Sequence, residues 1–214
     1  LAASPWLPLL TTPLTLAGVA ALTQRYFKGA EGSGIPQTIA AIRMPDGPGR
    51  DRVLYLRLAA AKMLLTCVGL AGGASVGRGG PTVQVGATLL YNLRWLIRFP
   101  GHLMERGLIV AGGGAGVAAA FNTPLAGVVF AIEEMARSFE ERSSGTLLTA
   151  VIMAGLAAIY GQGDYTYFGT NHGAISGSSG WLGVLLCGLA GGVLGGGFSR
   201  LLLAFSAHGL PGRA

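Results

Sequence analysis

Four long stretches of this 214-residue chain contain no aspartate, glutamate, lysine or arginine: residues 1–24, 107–132, 143–163 and 165–199. Crossing the hydrocarbon core of a bilayer takes about 20 largely apolar residues, so each stretch can hold at least one membrane-spanning helix. Only 11% of the residues are charged, against about 25% in ordinary soluble domains. A larger soluble core does not explain the difference, because a small domain has too much surface to cover. We therefore predict an all-α, multi-pass integral membrane protein.

The placement of charge and of reactive side chains excludes several classes of function. The net charge is +6, but the arginines cluster between the apolar runs, as in loops at membrane boundaries. Nucleic-acid binding would instead favour a basic face with interleaved aromatic residues. Cys67 and Cys187 have no metal-ligand spacing, and no histidine lies in a recognisable catalytic setting. We therefore expect no nucleic-acid partner, no metal, no cofactor and no enzymatic activity.

Proline, glycine and polar residues divide the chain into predicted helices. A turn is predicted over Pro45–Asp51, a break at Gly77–Gly80, and a polar loop that contains Asp164 and His172. Glycines at four-residue spacing predict close helix packing in a bilayer, namely Gly69, Gly73 and Gly77, and Gly188, Gly192 and Gly196. The predicted helices cover about residues 5–27, 36–44, 52–76, 81–98, 105–121, 124–137, 145–161 and 181–206.

Three segments place irregular, mostly glycine-rich backbone inside apolar surroundings: residues 32–36, 77–81 and 121–124. In lipid every backbone N–H and C=O needs a partner, so such segments persist only where they line a cavity or are buried in protein. Each segment ends in a proline, which is favoured in the first turn of a helix. The pattern therefore predicts three helices that begin inside the protein.

The start of a helix is a natural site for an anion. It exposes unpaired N–H groups and carries roughly half a positive charge, and a glycine before it lets a ligand approach the backbone. Several such ends aimed at one point would hold an anion weakly enough to release it, whereas a buried lysine would hold chloride too tightly. Ser33 adds a hydroxyl donor.

The same segments carry a family resemblance. Residues 32–36, GSGIP, resemble the selectivity motif of the CLC family of chloride channels and transporters. Residues 77–86, GRGGPTVQVG, are similar to that family's G(K/R)EGP segment. Residues 118–127, AAAFNTPLAG, followed by IEEM at 132–135, resemble its AAFNAPLAG…EE stretch. The motifs occur in the family's order and at plausible separations.

The resemblance implies tilted and broken membrane helices arranged as two inverted repeats, in a homodimer whose subunits each have a pore. Residues 1–214 would then form a single transmembrane domain, a fragment with one repeat plus one helix that lacks most of the second repeat. The C-terminal half of the same protein would complete the pore. Glu134 matches the inner glutamate that passes protons in exchangers of the family. The implied chloride-binding residues are Ser33, Gly34, Ile35, Pro36, Arg78, Gly79 and Gly80.

Two positions depart from the family pattern. Gly79 occupies the place of a glutamate whose carboxylate competes with chloride and accepts a proton, and Gln37 stands where many members have glutamate. Without a carboxylate at position 79, proton-coupled exchange loses a required partner. We therefore expect passive chloride conduction, in a protein of a bacterial inner membrane.

Two other interpretations stay open at this point. Residues 72–79, GGASVGRG, include the spacing of a phosphate-binding loop, but Arg78 and Gly79 replace its lysine and its serine or threonine. This segment also follows an apolar helix-length run rather than a strand, which disfavours nucleotide binding. The stronger alternative is a non-conducting fragment or assembly module of a CLC protein.

Overall fold

The architecture of the chain is entirely α-helical over the residues described by a computed structural model, which are 7–45, 47–96, 103–136, 141–163, 169 and 177–207. No β-strand occurs among them, so the all-α prediction is confirmed.

Residues 1–169 form one compact unit and residues 170–214 a second; the single domain over 1–214 stays a prediction. The helices are α1 (Leu7–Tyr26), α2 (Ile35–Arg43), α3 (Pro48–Val53), α4 (Leu56–Ala71), α5 (Gly79–Leu93), α6 (Leu103–Phe121), α7 (Pro124–Phe130), α8 (Glu141–Gln162) and α9 (Gly177–Ala207), with a π-helical turn at Ala131–Ala136.

Three segments of the described chain are long and apolar enough to cross a membrane: Pro48–Ala71, Gly145–Gln162 and Gly180–Phe205. The second falls within an uncharged run that predicted a span, and the third begins within another and extends past its end over Arg200. The first lies outside those runs, because α3 and the start of α4 contain arginines. Exposed leucines, isoleucines and valines cover α8 and α9, as expected for surfaces that face lipid rather than water.

Helix α6 is the centre of the larger unit. Residues 107–109 and 111–116 are buried, and α5, α7 and α8 all pack against this helix. One apolar cluster joins Ile109 to Val83 and Tyr91 of α5. A second cluster joins α6 to Leu147 and Val151 of α8. The uncharged run over residues 107–132, which predicted a membrane span, therefore also contains most of the core helix α6, against which α5, α7 and α8 pack.

Glycines allow α5 and α6 to touch along their backbones. A Cβ atom added at Gly86 would collide with the carbonyl oxygen of Gly112, and one added at Gly112 would collide with that of Gly86. One turn further on, Gly116 lies against the carbonyl of Thr82. Small residues permit such close approach. In a bilayer, helices rely on this packing because no hydrophobic driving force brings them together. The α5–α6 contact thus packs through glycines outside the predicted ladders, while Gly73 of the first ladder lies against Thr12 of α1.

Several predicted boundaries were wrong around α3 and α4. The turn over Pro45–Asp51 is partly helical, because Pro48 takes the first position of α3 after Gly47, whose φ is 142°. The helix predicted over 52–76 is interrupted at Leu54 and Tyr55, and α4 then runs only to Ala71. The helix predicted over 81–98 begins two residues earlier and ends at Leu93, before a turn at residues 94–96. The predicted helix end at Arg137, and Asp164 and His172 of the predicted loop, lie outside the described residues.

A charged cluster joins the ends of α2, α3, α5 and α6. Arg50 has no exposed surface, and its guanidinium donates to the carbonyls of Ala41 and Met44 at the end of α2. It also pairs with Glu105 at 3.0 Å, while Arg94 bonds both Asp51 and Glu105. A buried arginine is tolerated where its donors are all engaged. The cluster therefore fixes the C-terminal ends of α2 and α5.

Candidate anion site

The start of α2 is a left-handed turn closed by one glutamine. Gly32 and Gly34 have φ values of 69° and 106°, a region that favours glycine because it has no Cβ. The N–H of Gly34 donates to Gln37 Oε1 at 3.0 Å, and Gln37 Nε2 donates back to the carbonyl of Glu31. Pro36 lies in the first turn, as predicted. The amide of Gly34, one of the predicted chloride donors, is therefore already hydrogen-bonded within the protein.

The start of α5 lies in the GRGGP segment. Arg78 caps the helix, which begins at Gly79, so Pro81 falls at the third position rather than the first. This position is compatible with proline because the first four N–H groups of a helix have no intrahelical partner. The Thr82 hydroxyl donates to the carbonyl of Gly79 at 2.8 Å.

The third break lies directly beside the second. Asn122 has a φ of 53°, which ends α6, and Pro124 then opens α7 after Thr123. The ring of Phe121 covers Gly79: a Cβ added to that glycine would lie 3.4 Å from two ring carbons. The place of the family's glutamate is therefore in contact with an aromatic side chain.

The first two breaks are also in direct contact. A Cβ added to Gly80 would lie 2.5 Å from the carbonyl oxygen of Ser33 and 2.9 Å from its Cβ. In the other direction, a Cβ added to Gly34 would lie 2.8 Å from the carbonyl oxygen of Gly80. Only glycine fits at either position. Three segments that are separated by about forty residues from one to the next are thus brought together in one place.

A cavity of about 550 Å³ opens beside this junction. Ser33 and Gly80 line it together with Gly77 and Pro81, and α1 and α4 supply mostly apolar walls. Ser33, which precedes α2, and Gly80, in the first turn of α5, therefore face one hollow. Its volume is far larger than a single halide, so it has room for an ion with water.

One cation in the wall of the cavity was missed by the sequence analysis. Lys62 on α4 is 3% exposed and lines the cavity beside Ser33. Its Nζ donates to the carbonyls of Ala30 at 2.9 Å and Gly32 at 2.8 Å, with Glu31 at 3.4 Å. A charge inside an apolar helix is itself a signal for a functional site. That signal could have been read from residue 62, the one charged position between 58 and 77.

The other predicted residues have different surroundings. Gly34, Ile35, Pro36, Arg78 and Gly79 are not among the residues that line the cavity, although they form the turns that bring Ser33 and Gly80 there.

Glu134, the predicted proton-transfer residue, is exposed in the π-helical turn that follows α7. It does not line the cavity. Its role stays a prediction.

The sequence matches the voltage-gated chloride channel family over residues 15–209. The chain belongs to that family. This match confirms the resemblance drawn from the three motifs. It also confirms that the chain is an integral membrane protein with the all-α CLC fold, and that its general function is chloride transport. Members of the voltage-gated chloride channel family are channels or transporters. In this member, two of the three family motifs meet at one cavity and the third lies beside them.

Proposed function

We propose that the protein conducts chloride passively, through a pore that includes the cavity beside Ser33 and Gly80, without coupling to protons. The observation that carries the proposal is the contact between the start of α2 and the start of α5 at that cavity. Gly80, in the first turn of α5, lines this hollow, and the start of a helix offers an anion partial positive charge and unpaired N–H groups. The Ser33 hydroxyl adds a donor of suitable size.

The absence of proton coupling follows from residue 79. A proton that crosses with chloride needs a titratable group close to the anion, and Gly79 has none. The neighbouring ring of Phe121 fills the space next to this glycine and cannot take up a proton either. Glu134 would then have no outer partner to which it could pass a proton.

The proposed assembly follows the family pattern. We propose a homodimer in a bacterial inner membrane, in which further residues of the same protein complete each pore. Exposed leucines on α1, such as Leu10 at 70% and Leu14 at 71%, offer an apolar surface for that additional part.

The same leucines favour a second candidate function, a non-conducting assembly module of a CLC protein. Vesicles that contain the full-length protein and show no chloride efflux above protein-free vesicles would support the module and contradict conduction.

The test of proton coupling is a simultaneous measurement of both ions. We expect vesicles with the full-length protein to release chloride down its gradient without moving protons against theirs, because residue 79 carries no proton acceptor. A chloride electrode and a pH electrode in the same chamber give both fluxes. Glu134→Gln is the matched variant, and its chloride efflux should equal that of the wild type. Proton uptake in fixed ratio to chloride would contradict the proposal.

A further inference from the structure

An open depression lies where the end of α1 meets the start of α4. Its volume is about 480 Å³, and its lining residues are Lys28, Asp51, Arg52 and Tyr55. The loop after α1 lies against α4 here: Gly29 has a φ of 103°, and a Cβ added to it would lie 3.6 Å from the side chain of Leu58. None of the four lining residues belongs to the cavity beside Ser33. The depression is therefore distinct from the candidate anion site.

Two cations share this depression without a counter-charge of their own. Lys28 and Arg52 are exposed, and neither makes an ion pair with any residue that the structure describes. Two like charges in one hollow repel each other and attract an anion. The planar fork of an arginine can bind two phosphate oxygens at once, and a lysine adds a point charge. The pair is therefore suited to a phosphate group.

Asp51, the one acid in the lining, is already engaged by other residues. Its Oδ1 accepts hydrogen bonds from the Tyr91 hydroxyl at 2.9 Å and from the guanidinium of Arg94. The lining stays positive, because its two cations face one carboxylate whose charge Arg94 already balances. The hydroxyl of Tyr55 supplies a further, neutral donor.

The depression lies at one end of a candidate membrane span. That span is Pro48–Ala71, so three of the four lining residues fall within its first eight positions. Tyrosine, lysine and arginine are typical of the boundary between lipid and water. Exposed leucines follow on both helices, with Leu22 about one turn before the end of α1 and Leu56 at the first position of α4. A polar headgroup site is thus joined to apolar surface on which acyl chains can lie.

We propose that this depression binds the phosphate of an anionic phospholipid. The phosphate lies between Lys28 and Arg52 and accepts a hydrogen bond from the Tyr55 hydroxyl, while the acyl chains follow the leucines of α1 and α4. Basic pockets between membrane helices hold anionic headgroups in this way. The proposal does not depend on chloride conduction, since it concerns residues outside the anion site.

The test is a lipid titration of the purified full-length protein in detergent, with bound lipid counted by native mass spectrometry. Dioleoyl phosphatidylglycerol has a net negative charge, whereas dioleoyl phosphatidylcholine has the same chains and phosphate with a balancing cation. We expect phosphatidylglycerol to bind at least about tenfold more tightly, because two cations contact it. Arg52→Gln should weaken this binding about tenfold, since it removes charge-assisted hydrogen bonds, and Lys28→Gln about fivefold.

Arg57→Gln is the matched control. Arg57 is exposed near the start of α4 but does not line the depression. At physiological ionic strength, charges separated by more than about 8 Å are largely screened. An arginine that does not touch the phosphate therefore contributes little, and Arg57→Gln should bind phosphatidylglycerol within about twofold of the wild type.

Three results would overturn the proposal. Equal losses in Arg52→Gln and Arg57→Gln would show diffuse attraction in place of a site. Equal affinity for the two lipids would show that the cations do not recognise the headgroup. Displacement of phosphatidylglycerol by glycerol 3-phosphate at equal concentration would show a site for a soluble phosphate instead of a lipid. If Arg52→Gln does not fold, Lys28→Gln, which changes an exposed loop residue, decides the question against the same control.

Discussion

Gly112→Val is expected to prevent the chain from reaching its folded state. Any Cβ at residue 112 meets the carbonyl oxygen of Gly86, and the Cα of Ala87 lies 2.7 Å away. These are backbone atoms in the middle of α5, so no side chain can rotate to make room. Overpacking typically costs about 1–3 kcal/mol and occasionally more, and the high end applies where backbone atoms must move. The loss should be visible as aggregation or a lowered thermal midpoint in detergent.

Gly161→Ala provides the matched control for that substitution. Gly161 lies in the last turn of α8, and nothing stands within 4 Å of the position that its Cβ would take. The alanine should leave the thermal midpoint unchanged or raise it slightly, because alanine is the better helix former. A Gly112→Val protein that is monodisperse and as heat-resistant as Gly161→Ala would show that α5 and α6 do not meet at these glycines.

Gly80→Val is expected to abolish chloride efflux. The new side chain would meet the Ser33 carbonyl oxygen at 2.5 Å and the Ser33 Cβ at 2.9 Å, so the turn that presents the Ser33 hydroxyl must move. A hydrogen bond to a charged group contributes up to about 3 kcal/mol, which corresponds to a loss of about a hundredfold. Efflux from vesicles, normalised to the amount of inserted protein, measures the effect.

The control for the Ser33 junction is Gly49→Ala in α3, where no atom lies within 4 Å of the added Cβ. Its efflux should match that of the wild type. Gly80→Val protein that folds, inserts and still releases chloride at the wild-type rate would place the conduction path away from this junction.

Much of the architecture could be predicted from local chemistry. Proline in the first turn marked the starts of α2, α5 and α7, because a missing N–H and a fixed φ suit that position. The glycines of the same segments were expected to let a ligand approach the backbone, whereas Gly34 and Gly80 let one turn approach the other. The signals from proline and glycine are local, because each depends on the backbone conformation of that proline or glycine itself.

Features that depend on distant partners were not predictable in this way. Lys62 reaches carbonyls thirty residues earlier in the chain, and nothing near it in the sequence indicates that contact. The same is true of Arg50, which binds Glu105 across fifty-five positions. Such pairs are set by how the helices pack. Sequence analysis can identify a charge inside an apolar helix as unusual, but not its partner.

The central claim is that Ser33 and the start of α5 face one hollow in which a halide rests beside the Ser33 hydroxyl. Anomalous diffraction from crystals of the full-length protein grown in bromide would test it most directly, because bromide substitutes for chloride and scatters strongly. We predict an anomalous peak in the cavity, within hydrogen-bonding distance of the Ser33 hydroxyl and facing Gly80. Bromide peaks found only outside this cavity, in crystals of protein that conducts chloride, would contradict the claim.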